Sequence, residues 1–123
     1  MPVSGWKIDE AERAALLERF PPAWPHAVAD HITLDAHARA DDSLPAARAA
    51  RIVGSIDDGE GLQAMVVAID GTTDRPDGST YHITWSLDRA RGRKPIESND
   101  VIARLGWRPF DDPLPIPIIP ARF

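Results

Sequence analysis

A chain of 123 residues has the length of one domain, so residues 1–123 are expected to form a single unit around one core, with room for one site. The 43% hydrophobic and 27% charged fractions are those of an ordinary globular protein, and no apolar run nears the roughly 20 residues needed for a membrane-spanning helix. A net charge of −5 argues against non-specific binding to long DNA or RNA, yet one pocket can still be locally positive and hold a small anion or an RNA end.

Residues 1–10 lack the basic start and apolar stretch of a secretory leader, and there is no cysteine for a disulfide or a thiolate metal site, so a cytoplasmic location is the default expectation. Ile8, Ala11, Ala15, Leu16 and Phe20 recur near helical spacing, with Asp9, Glu10 and Glu12 where the helix dipole favours acids. This predicts an amphipathic helix over 8–20, stopped by Pro21 and Pro22. Residues 27–34 then suit a strand, and 37–50, rich in Ala, Arg and Asp, a loop with one helical turn. Strands are expected over 51–57 and 62–70, joined as a hairpin by Asp57-Asp58-Gly59-Glu60-Gly61 with solvated acids. A turn-dense segment at 71–79 leads into a strand over 80–87, and 89–94 form a basic loop. Ser98 is expected to cap a short helix that runs through Leu105 and closes at Gly106. Beyond it, Pro109, Pro113, Pro115, Pro117 and Pro120 forbid a helix while Leu114, Ile116, Ile118 and Ile119 call for burial. Residues 109–123 therefore read as an extended tail that lies on a sheet edge or covers a partner subunit.

Two of the expected strands carry matching strings, His31-Ile32-Thr33-Leu34 and His82-Ile83-Thr84-Trp85. A random order of the four His and five Thr gives about 0.16 His-x-Thr triplets, so two matched copies are more than accident of composition. Alternate side chains of a strand share a face, so His31, Thr33, His82 and Thr84 are expected on one polar surface, with Ile32, Leu34, Ile83 and Trp85 beneath it in the core. Two imidazoles and two hydroxyls suit a phosphodiester. One neutral imidazole takes a proton from the attacking water, its protonated counterpart gives one to the departing ribose oxygen, and the hydroxyls hold the non-bridging oxygens. That chemistry calls for no metal and no cofactor.

The pair of motifs resembles that of the 2H phosphoesterase superfamily, named for two His-x-Thr/Ser-x strings on facing strands. Lys94-Pro95-Ile96-Glu97-Ser98-Asn99 is in addition similar to the stretch after the second motif in the cyclic phosphodiesterase domain of fungal and plant tRNA ligases. The resemblance implies an α+β fold, bilobal, with antiparallel sheets around a central groove and few short helices. It implies a metal-independent activity on 2',3'-cyclic phosphates or 2'-5' linkages, with His31 and His82 as the acid-base pair and Thr33 and Thr84 as phosphate ligands. The implied partner is a small nucleotide or an RNA terminus bearing a cyclic phosphate.

Other residues have weaker claims. Trp24, in a proline-bounded loop, is a candidate base-stacking residue as well as a hydrophobic plug, and Tyr81, although on the core-facing parity, could reach the ligand. Ser98 is a candidate phosphate ligand at a helix start, and one of Arg89, Arg91, Arg93 or Lys94 could approach a phosphate. His26 and His37 flank the first motif, but their spacing with His31 does not suggest a metal site. Two other classes of function stay open: a non-catalytic module that binds a nucleotide or phosphate through the same side chains, and an interaction protein that docks through its tail.

Overall fold

The computed structural model describes residues 3–123. It is an α+β protein of two helices and two antiparallel sheets. In chain order the elements are β1 (Ser4–Lys7), α1 (Glu10–Arg19), β2 (His26–Ala27), β3 (His31–Asp35), β4 (Ala49–Asp57), β5 (Leu62–Ala68), β6 (His82–Leu87), α2 (Glu97–Leu105), β7 (Arg108–Pro117) and β8 (Ile119–Arg122), with a 3₁₀ turn at Arg89–Arg91. The smaller sheet has the order β3-β1-β8 and the larger β2-β6-β5-β4-β7.

The expected first helix forms because Asp9 accepts hydrogen bonds from the N–H groups of Ala11 and Glu12, and Pro21 ends it one residue past Phe20. Arg13 ties the helix to the next segment by donating to the carbonyl oxygens of Val28 and Ala27. The strand expected over 27–34 is in fact two strands in different sheets. Val28 and Ala29 still donate to Trp85 and Thr84 of β6, but Asp30 already accepts from Ile8, on the side of the smaller sheet. The switch falls at Ala29, whose φ of 43° lies in the left-handed region that costs a residue with a Cβ about 1–2 kcal/mol. That turn carries His31 across from one sheet to the other.

The two sheets share a core. Trp6, Ile32, Ile52, Met65, Val67, Ile83, Trp85, Ile116 and Ile118 pack together with Leu16 of α1, and a second apolar cluster lies between α2 and the outer face of β5. β5 is buried on both faces over most of its length, which explains its run of apolar residues after Gln63. Gly5 lets β1 press against β3, since a Cβ there would sit 2.1 Å from the carbonyl oxygen of Ile32.

The proline-spaced segment is no appended tail. It forms β7 at the edge of the larger sheet beside β4 and then β8 at the edge of the smaller sheet beside β1, so it ties the two sheets together. The prolines of β7 recur at odd positions, which puts their missing N–H groups on the unpaired side; the even positions can pair, and Ile118 just beyond donates to Arg48. Ile116 and Ile118 are buried in the shared core, not left to cover a partner. The hairpin of β4 and β5 forms as expected. Its acid Asp58 is not solvated: it accepts from the N–H groups of Glu60 and Leu62 and pairs with Arg93 at 2.7 Å.

Candidate functional site

Where β3 of the smaller sheet meets β6 of the larger one, a cleft of about 210 Å³ opens, and His31, Thr33, His82 and Thr84 all line it. The strand parity accounts for this: Ile32, Ile83 and Trp85 point the other way and are fully buried, with Leu34 packed partly buried against them. Trp85 is a core residue, its indole N–H donating to the carbonyl oxygen of Phe20. Pro95, Ile96 and Asn99, at the start of α2, form the facing wall.

The two histidines sit in different surroundings. Nδ1 of His82 lies 2.9 Å from the carbonyl oxygen of Thr80, which can only accept, so that nitrogen carries the proton and Nε2 keeps its lone pair. Burial pushes the His82 pKa below the usual imidazole value, with the charges of Arg75 and His31 acting in the same sense against the bond to Thr80. The neutral form of His82 is thereby favoured. His31 is more open, and its Nδ1 is 3.0 Å from Asp30, which also binds Lys7 at 2.8 Å. Burial opposes ionisation of Asp30, but the hydrogen bonds from Lys7 and His31 outweigh it and hold the carboxyl below its ordinary value. The Phe123 ring packs edge-on against the His31 imidazole at 4.8 Å between centroids. Asp30, Lys7 and Phe123 therefore fix the imidazole from behind.

The threonines differ too. Thr84 Oγ1 is 2.8 Å from Ser98 Oγ and 3.3 Å from the carbonyl oxygen of Pro95. Ser98 is not the cap of α2: the helix starts at Glu97 with Ile96 as its unbonded cap, and Ser98 is fully buried in the first turn. Its hydroxyl holds Thr84 and does not line the cleft.

Arg75 enters the cleft from the loop between β5 and β6, which is pinned by backbone bonds of Arg75 to Ser79 and Gly78. Its side chain is only 7% exposed; Nη2 meets Asp77 at 2.7 Å, while the buried Nε has no hydrogen-bond partner among the described residues. Hydrogen bonds from Ser79, with Arg75 adding to them, lower Asp77 to about 2, so it stays ionised. Asn99 Oδ1 is likewise buried and unpaired among the described residues. Both residues line the cleft, and these two atoms are themselves closed off from solvent.

Several sequence-based candidates lie elsewhere. Tyr81 is buried in the core, edge-on to Trp6 at 5.9 Å, as its parity dictates. Trp24 donates to Asp57 and carries Arg91 over its ring at 5.3 Å, away from the cleft. Of the basic run, Arg93 is paired with Asp58 and Glu97, and Arg91 with Asp88. The cation of the cleft is Arg75 instead, which carries no sequence signal because it arrives from a turn-rich loop, whereas Asn99, in the stretch that follows the second motif, does line the cleft. Among the described residues no group of three or more His, Asp or Glu is placed to hold a metal ion, and no helix is long and apolar enough to cross a membrane.

Comparison with protein-family models, with curated proteins and with solved structures finds no match. The functional reading rests on the cleft.

Proposed function

We propose that the protein is a metal-independent phosphodiesterase that opens a 2',3'-cyclic phosphate on a nucleotide or RNA end, in the manner of the 2H phosphoesterases that its motifs resemble. The observation that carries this is the convergence of His31, His82, Thr33, Thr84 and the buried Arg75 on one cleft. Two antiparallel sheets meeting at the motif strands also fit the bilobal fold that the resemblance implies.

The asymmetry of the histidines supports a division of labour. Neutral His82, with Nε2 free, takes a proton from water as its oxygen attacks phosphorus. His31, with Nδ1 held by Asp30, gives a proton from Nε2 to the ribose oxygen whose bond to phosphorus breaks. A phosphomonoester results. Arg75 and Thr33 hold the non-bridging oxygens. Thr84 joins them because Ser98 can donate to it, which frees its own proton from the long bond to Pro95.

The test is incubation with nucleoside 2',3'-cyclic phosphates in excess chelator, followed by phosphorus NMR. A monophosphate product is expected, and a requirement for added divalent metal would sink the mechanism. Asp30→Asn keeps an acceptor for Nδ1 but loses the charge; it is expected to lower kcat by about 10–100-fold with KM held, because it orients His31 and touches no substrate.

A further inference from the structure

The cleft holds about 210 Å³, less than the roughly 300–1,000 Å³ of pockets that enclose a whole small ligand. A cyclic phosphate and its ribose therefore leave the base outside. Next to the cleft lies a larger pocket of about 650 Å³, and Ala36 and Arg75 belong to both. We infer that this pocket receives the nucleobase attached to the cyclic phosphate, and that its wall selects guanine. The inference rests on the phosphodiesterase reading for the position of the phosphate.

Its floor is apolar, built by Leu34 from the end of β3, by Ala36 and by Pro76, surfaces suited to the face of a base. Its polar lining includes Ser4, His37, Ser43 and Arg75, and among the groups away from the Arg75 junction the charged ones are the carboxylates of Asp35 and Asp42. Asp35 and Asp42 each commit one carboxylate oxygen to a nearby backbone N–H, of His37 and Arg39, which fixes the side chain and leaves the second oxygen open to a ligand. Arg75, nine-tenths buried with its Nε unpartnered among the described residues, stands at the junction and fixes where the phosphate ends and the base begins. Guanine presents the N1 and N2 hydrogens as donors for the open oxygens of these carboxylates, whereas uracil offers one N–H flanked by two carbonyl oxygens, which carboxylates repel.

The experiment compares kcat/KM for the 2',3'-cyclic phosphates of guanosine, adenosine, cytidine and uridine, and titrates the ¹⁵N-labelled protein with guanosine and uridine 2'-monophosphates. Guanosine should lead uridine by about tenfold or more, as expected for hydrogen bonds to charged acceptors. Asp35→Asn and Asp42→Asn, which retain an acceptor for their backbone partners, should erode that lead, with guanosine turnover falling and uridine turnover rising as the repulsion of its carbonyl oxygens is lifted. Equal turnover of all four, or a lead for uridine, overturns the base pocket and leaves the phosphodiesterase standing. If no cyclic phosphate is cleaved, the phosphodiesterase reading fails and the titration decides the pocket alone: shifts at the amides of Ala36 and Asp42 with the guanosine compound support it, and their absence ends it.

Discussion

Replacing His82 with alanine is expected to lower kcat/KM for a nucleoside 2',3'-cyclic phosphate by about 10²–10⁴-fold, the usual worth of one positioned proton-transfer group. Removing the imidazole deletes the lone pair on the cleft side and leaves only the carbonyl oxygen of Thr80 without its partner, so the cost in stability should stay near 1 kcal/mol. His31→Ala should lose a similar factor. The double variant should fall little further, because acid and base act in one step and their losses do not add. The pH profile gives an independent check. Since burial holds His82 below the ordinary imidazole value of about 6.5, the acidic limb of kcat/KM should lie below that value. Near-normal turnover in both single variants would remove the acid-base mechanism.

How far the sequence revealed this site depends on the kind of information each part needs. The common surface of His31, Thr33, His82 and Thr84 is a matter of strand parity, a local property, and it carried through to the structure. Parity likewise placed Trp85 in the core and argued against Tyr81 as a ligand. The break at Ala29 is not legible, because Val28, Ile32 and Thr33 carry an extended pattern across 27–34 and only the pull of two sheets on one strand turns the chain there. Ser98 looked like a cap since a hydroxyl before an apolar run has that local meaning; its bond to Thr84 is tertiary. The alternating prolines spoke for an unpaired edge, but nothing in a periodic segment says that it will edge two sheets in succession. Arg75 sits in a run of turn residues, where a cation is ordinarily solvated, and nothing local distinguishes it from the more conspicuous basic run at 89–94.

Arg75→Gln separates a functional cation from a structural one. If the guanidinium holds the phosphate as charge builds on it, kcat/KM should fall by about 10²–10³-fold. A structural ion pair predicts instead that the fold weakens. The partner argues against that second view: Asp77 is 53% exposed, so it returns to water when orphaned and its charge is not left buried. The ligand-free protein in addition keeps Nε buried without a partner among the described residues, a penalty that the variant removes. Stability should therefore change by less than about 1 kcal/mol in urea unfolding while activity collapses, the pattern of a group kept for function at some cost to the fold. The same variant should shift the acidic limb of the pH profile. Arg75 disfavours the protonated form of His82; without it that form is easier to reach, the pKa rises, and the limb moves to higher pH. A large loss of stability with an unmoved limb would assign Arg75 to the scaffold and leave the cleft without a positive group to meet the phosphate.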